Sequence, residues 1–187
     1  MSGTHPRLLR GSGLGVRSGS ATSVGRVRDH NEDAVVDDGL VFAVADGMGG
    51  HAAGEVASRI AVEALAHLVG HPPSRADDVV AVLREANDGI LRSQEREPEQ
   101  RGMGTTVTGL TVVDEGDGEH WVVFNIGDSR VYRVAGGRLE QVTRDHSELR
   151  ELMDAGLIDE EEAARHPLRN VITRSLGAGE APEPDVW

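Results

Sequence analysis

The stretch Val41-Phe42-Ala43-Val44-Ala45-Asp46-Gly47-Met48-Gly49-Gly50-His51 decides the fold. An apolar run ends in one carboxylate and passes at once into a glycine-rich turn. Such a run reads as a buried strand that delivers an acid to its end, where backbone without side chains can approach a ligand closely. Two neighbouring features strengthen the reading. Asn31-Glu32-Asp33 stands just upstream, and Gly127-Asp128-Ser129-Arg130 closes another apolar run. Acids gathered at strand ends suit a hard, oxygen-seeking metal.

Working outward, Ser20 to Asp29 reads as an edge strand plus loop. Ala34 to Val36 and Leu40 to Ala45 read as a hairpin turning at Asp37-Asp38-Gly39. Val56, Ile60, Ala64 and Leu68 recur at close to helical spacing, which predicts a helix from His51 to Val69, stopped by Gly70 and Pro72-Pro73. Val79, Leu83, Ala86 and Ile90 predict a second helix from about Arg75 to Arg96, with Ser74 as its cap. The period then changes to two. Strands are expected over Thr105 to Val113, Trp121 to Ile126, Val131 to Val134 and Leu139 to Val142, the last two joined at Gly136-Gly137. Short helices follow at Glu148 to Ala155 and at Glu160 to Arg165, the second capped by Asp159. Val171 to Leu176 is a last extended segment. Strands, two helices, strands, then small helices make an α+β layout with a largely antiparallel sheet system rather than a doubly wound fold.

Composition bounds the function. The 187 residues suffice for one domain with a real core. A net charge of −13 excludes nucleic acid as a partner, since no basic patch can neutralise phosphates. No apolar run approaches the ~20 residues of a membrane span, so no membrane partner is expected. Zero cysteines exclude thiolate catalysis and thiolate zinc sites and fit a reducing, cytoplasmic setting. Residues 1–14, rich in Gly, Ser and Arg, read as a flexible N-terminal tail without the apolar core of a signal peptide.

Within the acidic motifs each residue has a chemical reading. Glu32 and Asp33 are adjacent, so on a strand they point to opposite faces. One can bind a metal while the other orients a water. Asp46 stands where a carboxylate can bridge two cations, and the Gly47 carbonyl can also reach a metal. Carboxylate, carbonyl and water donors suit Mg²⁺ or Mn²⁺. Arg28, four residues before Glu32, can clamp a phosphate through two hydrogen bonds. Acids alone repel a phosphate dianion, but two divalent cations reverse the local sign. His51 and His146 read as capping or surface residues, for no zinc spacing is present. Gly102-Met103-Gly104-Thr105-Thr106 lacks a phosphate-loop lysine and reads as a strand brought close to the site.

Taken together, Arg28-x-x-Asn31-Glu32-Asp33, Asp46-Gly47-Met48-Gly49-Gly50, Gly102-Met103-Gly104-Thr105-Thr106, Gly127-Asp128-Ser129-Arg130, Thr143-x-Asp145-His146-Ser147 and Asn170-Val171-Ile172-Thr173-Arg174-Ser175-Leu176-Gly177 resemble the metal-dependent protein phosphatase family. This is the PPM, or type 2C, group of serine/threonine phosphatases, and Met48 after Asp-Gly is similar to the bacterial branch. The resemblance implies an αββα sandwich of two mainly antiparallel sheets flanked by helices, with a cleft for two cations and a third, weaker one. It implies that Asp46 bridges the two metals, that Glu32 and the Gly47 carbonyl bind the second, that Asp33 holds a water, that Arg28 takes the substrate phosphate and that Asp128 binds the third metal. It further implies a flap over about 146–170, direct hydrolysis of phosphoserine and phosphothreonine in proteins by a bridging water, and partnership with a Ser/Thr kinase and its substrates. Met48 cannot act as the proton donor that many eukaryotic relatives place there.

The resemblance also sets an expectation about the C-terminal side. Asp-Gly-Leu and Asp-Asn segments, whose aspartates complete the first metal's shell in the family, do not occur, and Asp185 does not match them. Residues 15–187 are therefore expected to form a C-terminally truncated phosphatase domain. The alternative is a weakly active or inactive module that binds phosphoprotein or metal without turnover.

Overall fold

The structure is a computed structural model that describes residues 7–8 (backbone only), 15–26, 28–38, 40–50, 53–69, 73, 75–116 and 118–187. The hairpin forms as β3 (Asp33–Asp38) and β4 (Val41–Met48), paired antiparallel from Asp38↔Val41 to Asp33↔Asp46. Both strands run further than the apolar pattern required. Asp46 is not the residue after the strand but a member of the ladder, directly across from Asp33. Beyond it, Gly47 and Met48 pair with Thr105 and Gly104 of β5 (Gly104–Thr105).

β6 (Val107–Asp114) and β7 (Glu119–Ile126) extend the sheet, and β10 (Asp185–Val186) closes its edge against Asn125 and Phe124. The order is β10-β7-β6-β4-β3, with every neighbour antiparallel and β5 attached to β4. Two further ladders stand apart: β1 (Arg7–Leu8) with β2 (Gly15–Val16), and β8 (Tyr132–Ala135) with β9 (Arg138–Gln141). The expected strand within Ser20 to Asp29 does not form among the described residues. That stretch has no apolar alternation to seat against a sheet; Thr22 instead accepts a hydrogen bond from the Asn31 amide at 2.7 Å.

The helices are α1 (Ala53–Ala66) and α2 (Ala76–Arg96). The predicted starts at His51 and Ser74 lie outside the described residues. α2 takes Arg75 as its first flanking residue, whose N–H the Asp78 carboxylate accepts at 3.0 Å. α1 lies on β3 and β4, and α2 packs on α1. The core fills this side of the sheet. Val41, Leu65, Val79, Leu83, Ile90, Met103, Val107, Phe124 and Ile126 are essentially inaccessible. Burial on this scale, at about 25 cal/mol per Å² of apolar surface, is what holds the two layers together.

Alternation along β4 sorts its residues by face. Val41, Ala43 and Ala45 point to the helices, while Phe42, Val44 and Asp46 point the other way. Val44 stays 44% exposed, and the Phe42 and Trp121 rings approach to 6.1 Å between centroids. Residues Arg17 to Ala21 run beside this face and share a groove of about 570 Å³ with Phe42, Val44 and Leu110. The fold is thus α+β with antiparallel sheets. One helical layer covers one face of the main sheet, and Asp46 with its ladder partner Asp33 opens on the other. α3 (Glu148–Asp154) and α4 (Glu160–Arg165) fall where the flap was expected, capped by Ser147 and Asp159.

Candidate metal-binding cleft

Asp46 is held by its backbone before its side chain does anything. Its N–H donates to Thr106 Oγ1 at 3.1 Å, and its carbonyl accepts from Thr106 N and Thr105 Oγ1, both at 3.0 Å. The break between β5 and β6 at Thr106 makes this possible. Thr106 leaves the ladder and turns fully buried groups toward Asp46. The glycine-rich run before it therefore does bring a strand up to the site, as its composition suggested.

Gly47 and Gly54 set the distance between β4 and α1. An added Cβ on Gly54 would stand 2.6 Å from Glu32 Oε1 and 2.8 Å from the Gly47 carbonyl carbon. The Glu32 carboxylate accordingly rests over the first turn of α1, where the unpaired N–H groups favour a negative charge. The Glu32 carbonyl accepts from Gly47 N at 3.1 Å and from Ser58 Oγ at 2.6 Å. Gly54 and Ser58 were not singled out in the sequence. Ser58 had a signal, being a polar residue that interrupts the apolar stripe between Ala57 and Ala61.

The acids converge electrostatically. Burial of its carboxylate, though the residue as a whole is exposed, is the first cause that raises the Asp46 pKa above the ordinary value. Asp33, Asp128 and Glu32 raise it further, and Arg28 opposes them. Every other charged residue expected at the site thus acts on one carboxylate. The Asp128 pKa is likewise raised, first by burial and then by Asp145, with Arg130 and its own backbone hydrogen bond opposing. Asp145 is itself gripped by Arg130, with Nε to Oδ1 at 2.9 Å and Nη2 to Oδ2 at 2.5 Å. Asp128, Arg130 and Asp145 share a cleft of about 480 Å³ with Arg150, Glu160 and Arg169.

Among the described residues no three acidic or histidine side chains close on one point as a finished cage. Asp128 lines the cleft beside Arg130 and Asp145, and Asp46 feels the charges of Asp33, Asp128 and Glu32. That arrangement fits Mg²⁺ or Mn²⁺, which keep several waters and bind through one or two carboxylates each. The acids offer oxygen donors only, and Asp33, Asp128 and Glu32 act on Asp46 with Arg28 opposing them.

One expectation needs correction. His146 is not a surface or capping residue; it is 4% exposed and packed against Gly127. Asp185, which matched no family motif, is not among the groups that act on Asp46. It lies on β10, with Oδ1 accepting from Arg174 at 3.0 Å and Oδ2 at 3.2 Å from His146 Nε2.

Fold and charge together define an α+β domain in which Asp33, Asp128 and Glu32 act on the carboxylate of Asp46. The chain belongs to the protein phosphatase 2C family, whose profile matches residues 22–171. It is 42% identical over 177 residues to the serine/threonine protein phosphatase PstP of Mycobacterium tuberculosis, covering 92% of this chain and 33% of PstP. It is 37% identical to a serine/threonine phosphatase, Stp, of Listeria welshimeri, covering 89% of this chain and 69% of the relative. The catalytic domain of PstP, solved in complex with 2 manganese ions, superposes with a TM-score of 0.79 at 39% identity, over 89% of this chain and 69% of that domain. The chain thus spans about a third of PstP and about two thirds of the solved domain.

Proposed function

We propose that this protein hydrolyses phosphoserine and phosphothreonine esters in proteins, using divalent cations held by Asp46, Glu32, the Gly47 carbonyl and Asp128. The observation that carries the proposal is the convergence of Asp33, Asp128, Glu32 and Arg28 on Asp46. Bound Mn²⁺ or Mg²⁺ supplies positive potential and Lewis acidity to a cleft that would otherwise repel phosphate.

The chain's own residues do the rest. Arg28 donates paired hydrogen bonds to two non-bridging phosphate oxygens and fixes the ester's orientation. Asp33, across the ladder from Asp46, accepts a hydrogen bond from the attacking water and holds its proton at a carboxylate oxygen as the new P–O bond forms. The P–O bond to the Ser or Thr oxygen breaks, and no protein nucleophile is consumed. Met48, which has no proton to give, leaves protonation of the departing oxygen to solvent. The physiological substrates are proteins phosphorylated by a Ser/Thr kinase that this enzyme opposes, in the cytoplasm. No helix among the described residues is long and apolar enough to cross a membrane.

The test is Mn²⁺-dependent hydrolysis of an aryl phosphate and of a phosphothreonine peptide by residues 1–187. Turnover that chelation abolishes and that Asp46→Asn lowers at least about a hundredfold is expected. Phosphopeptide binding without turnover by the folded, Mn²⁺-loaded protein would make it a binding module instead.

A further inference from the structure

His146 is the buried titratable group that the proposed chemistry leaves unused. Two of its hydrogen bonds join it to one residue, Gly127. His146 N donates to the Gly127 carbonyl at 2.9 Å, and Gly127 N donates back to His146 Nδ1 at 3.1 Å. The Gly127 carbonyl has a second donor in Asn125 Nδ2 at 3.0 Å, but its N–H has only the imidazole. Because Nδ1 accepts, a neutral imidazole must carry its proton on Nε2. Nε2 lies 3.2 Å from Asp185 Oδ2, close but poorly aligned for a hydrogen bond. Arg174 steadies the other oxygen of that carboxylate.

Gly127 is the residue that aims Asp128. Its φ of +109° lies where only glycine is comfortable, and an added Cβ would stand 2.6 Å from Thr106 Cβ. Thr106 is in turn bonded to Asp46 and, through Oγ1, to Ser129 Oγ at 2.9 Å. The Gly127 peptide is therefore wedged between Thr106, which accepts the Asp46 N–H, and the imidazole of His146. If the imidazole carried its proton on Nδ1, two donors would face each other across 3.1 Å and the wedge would open.

We propose that Asp185 and His146 form a positioning pair for Asp128: Asp185 selects the Nε2–H tautomer, His146 locks the Gly127 peptide, and the locked peptide points Asp128 into the cleft. The second half of this inference rests on the reading of Asp128 as a cation ligand. The first half rests on the Gly127 N–H to Nδ1 hydrogen bond and on the 3.2 Å approach of Nε2 to Asp185 Oδ2. Such outer partners cost about ten- to a hundredfold in metal affinity when removed from known metal sites.

The experiment uses the isotopically labelled 1–187 chain in solution NMR, with Mn²⁺ as the probe. The wild type should show the Nε2–H tautomer at His146 and slow exchange of the Gly127 amide. His146→Gln keeps a polar group near Nε2 but removes the Nδ1 acceptor; Gly127 exchange should quicken at least about tenfold. The Mn²⁺ concentration that half-broadens the Asp128 resonances should rise about tenfold. His146→Asn places a carbonyl near the Nδ1 position and should restore both. Asp185→Asn, at a partly exposed site, should leave the fold intact and give mixed tautomers. An Nδ1–H tautomer in the wild type, unchanged Gly127 exchange in His146→Gln, or an undisturbed tautomer in folded Asp185→Asn would overturn the pair. A folded wild type that shows no Mn²⁺ broadening would instead remove the cation reading, while tautomer and exchange still decide whether Gly127 is locked.

Discussion

Gly47 and Gly54 approach so closely that neither can carry a side chain: a Cβ on Gly47 would stand 2.1 Å from the Gly54 carbonyl oxygen, and one on Gly54 would stand 2.8 Å from the Gly47 carbonyl carbon. Neither has a positive φ, so the requirement is space and not backbone conformation. The contact seats the start of α1 against the end of β4, and Glu32 lies over the same junction.

Gly54→Ala should therefore cost roughly 3 kcal/mol, the upper end of the range for overpacking a tight interior. Gly50→Ala is the matched control, because an added Cβ there meets nothing within 4 Å. Denaturant midpoints at constant m-value check the pair. Equal, small effects for both would mean that α1 shifts freely on β4.

Asp46→Asn should stabilise the metal-free protein at neutral pH. The pKa of Asp46 is raised in the folded state by burial and by Asp33, Asp128 and Glu32. The folded protein therefore binds this proton more tightly than the unfolded chain. Its contribution is fully present below the ordinary aspartate pKa of 3.8 and is lost as pH rises through the folded value. The neutral amide removes that loss. With Mn²⁺ at a hundred times its dissociation constant the order reverses, since binding adds about 2.7 kcal/mol to the wild type. Melting temperatures with and without Mn²⁺ measure both halves. A variant less stable than wild type under chelation would contradict the electrostatic account.

Much of this was legible in the sequence because it is local. The apolar run before Asp46, the helical recurrence from Val56 to Leu68 and the capping acid Asp159 each announce their element within a few residues. Strand ends were less legible. Asp-Gly-Met-Gly-Gly reads as a turn, yet Gly47 and Met48 stay in a ladder because β5 returns to pair with them. The acids themselves were readable as a set. Their supports were not, since Ser58 meets the Glu32 carbonyl, His146 meets Gly127 and Asp185 meets His146 only through the tertiary fold. His146 looked like any loop histidine, and only the fold shows that Gly127 and Asp185 flank it.

Acid should weaken the fold through that histidine. Desolvation lowers the His146 pKa from its ordinary 6.5, outweighing the opposing pull of Asp185. The folded state thus resists protonation that the unfolded chain accepts. The stability involved is full above the unfolded pKa and drains away as pH falls below it. The Asp185 pKa is lowered by His146 and Arg174 against desolvation, so its share is lost further down, below the ordinary aspartate value. Unfolding free energy should fall on acidification from pH 6.5, and His146→Gln should flatten the upper part of that slope. An unchanged slope in the variant would show that other groups carry the acid response.

Thr106→Val tests how the cleft is held together. Thr106 is fully buried, and its hydroxyl accepts the Asp46 N–H at 3.1 Å while sharing a hydrogen with Ser129 Oγ at 2.9 Å. Valine fills the same volume and abandons both groups. A buried donor left without its partner costs about 1–3 kcal/mol. Thr106→Ser retains the hydroxyl and should recover most of the loss, less a methyl group worth about 1 kcal/mol. If Thr106 also fixes Asp46 and Asp128 relative to each other, Mn²⁺ affinity should fall in Thr106→Val and recover in Thr106→Ser at temperatures where both are fully folded. Chemical denaturation and Mn²⁺ titration, read side by side, separate the two effects: a valine variant that loses stability but binds Mn²⁺ like the wild type would leave Thr106 a structural residue only.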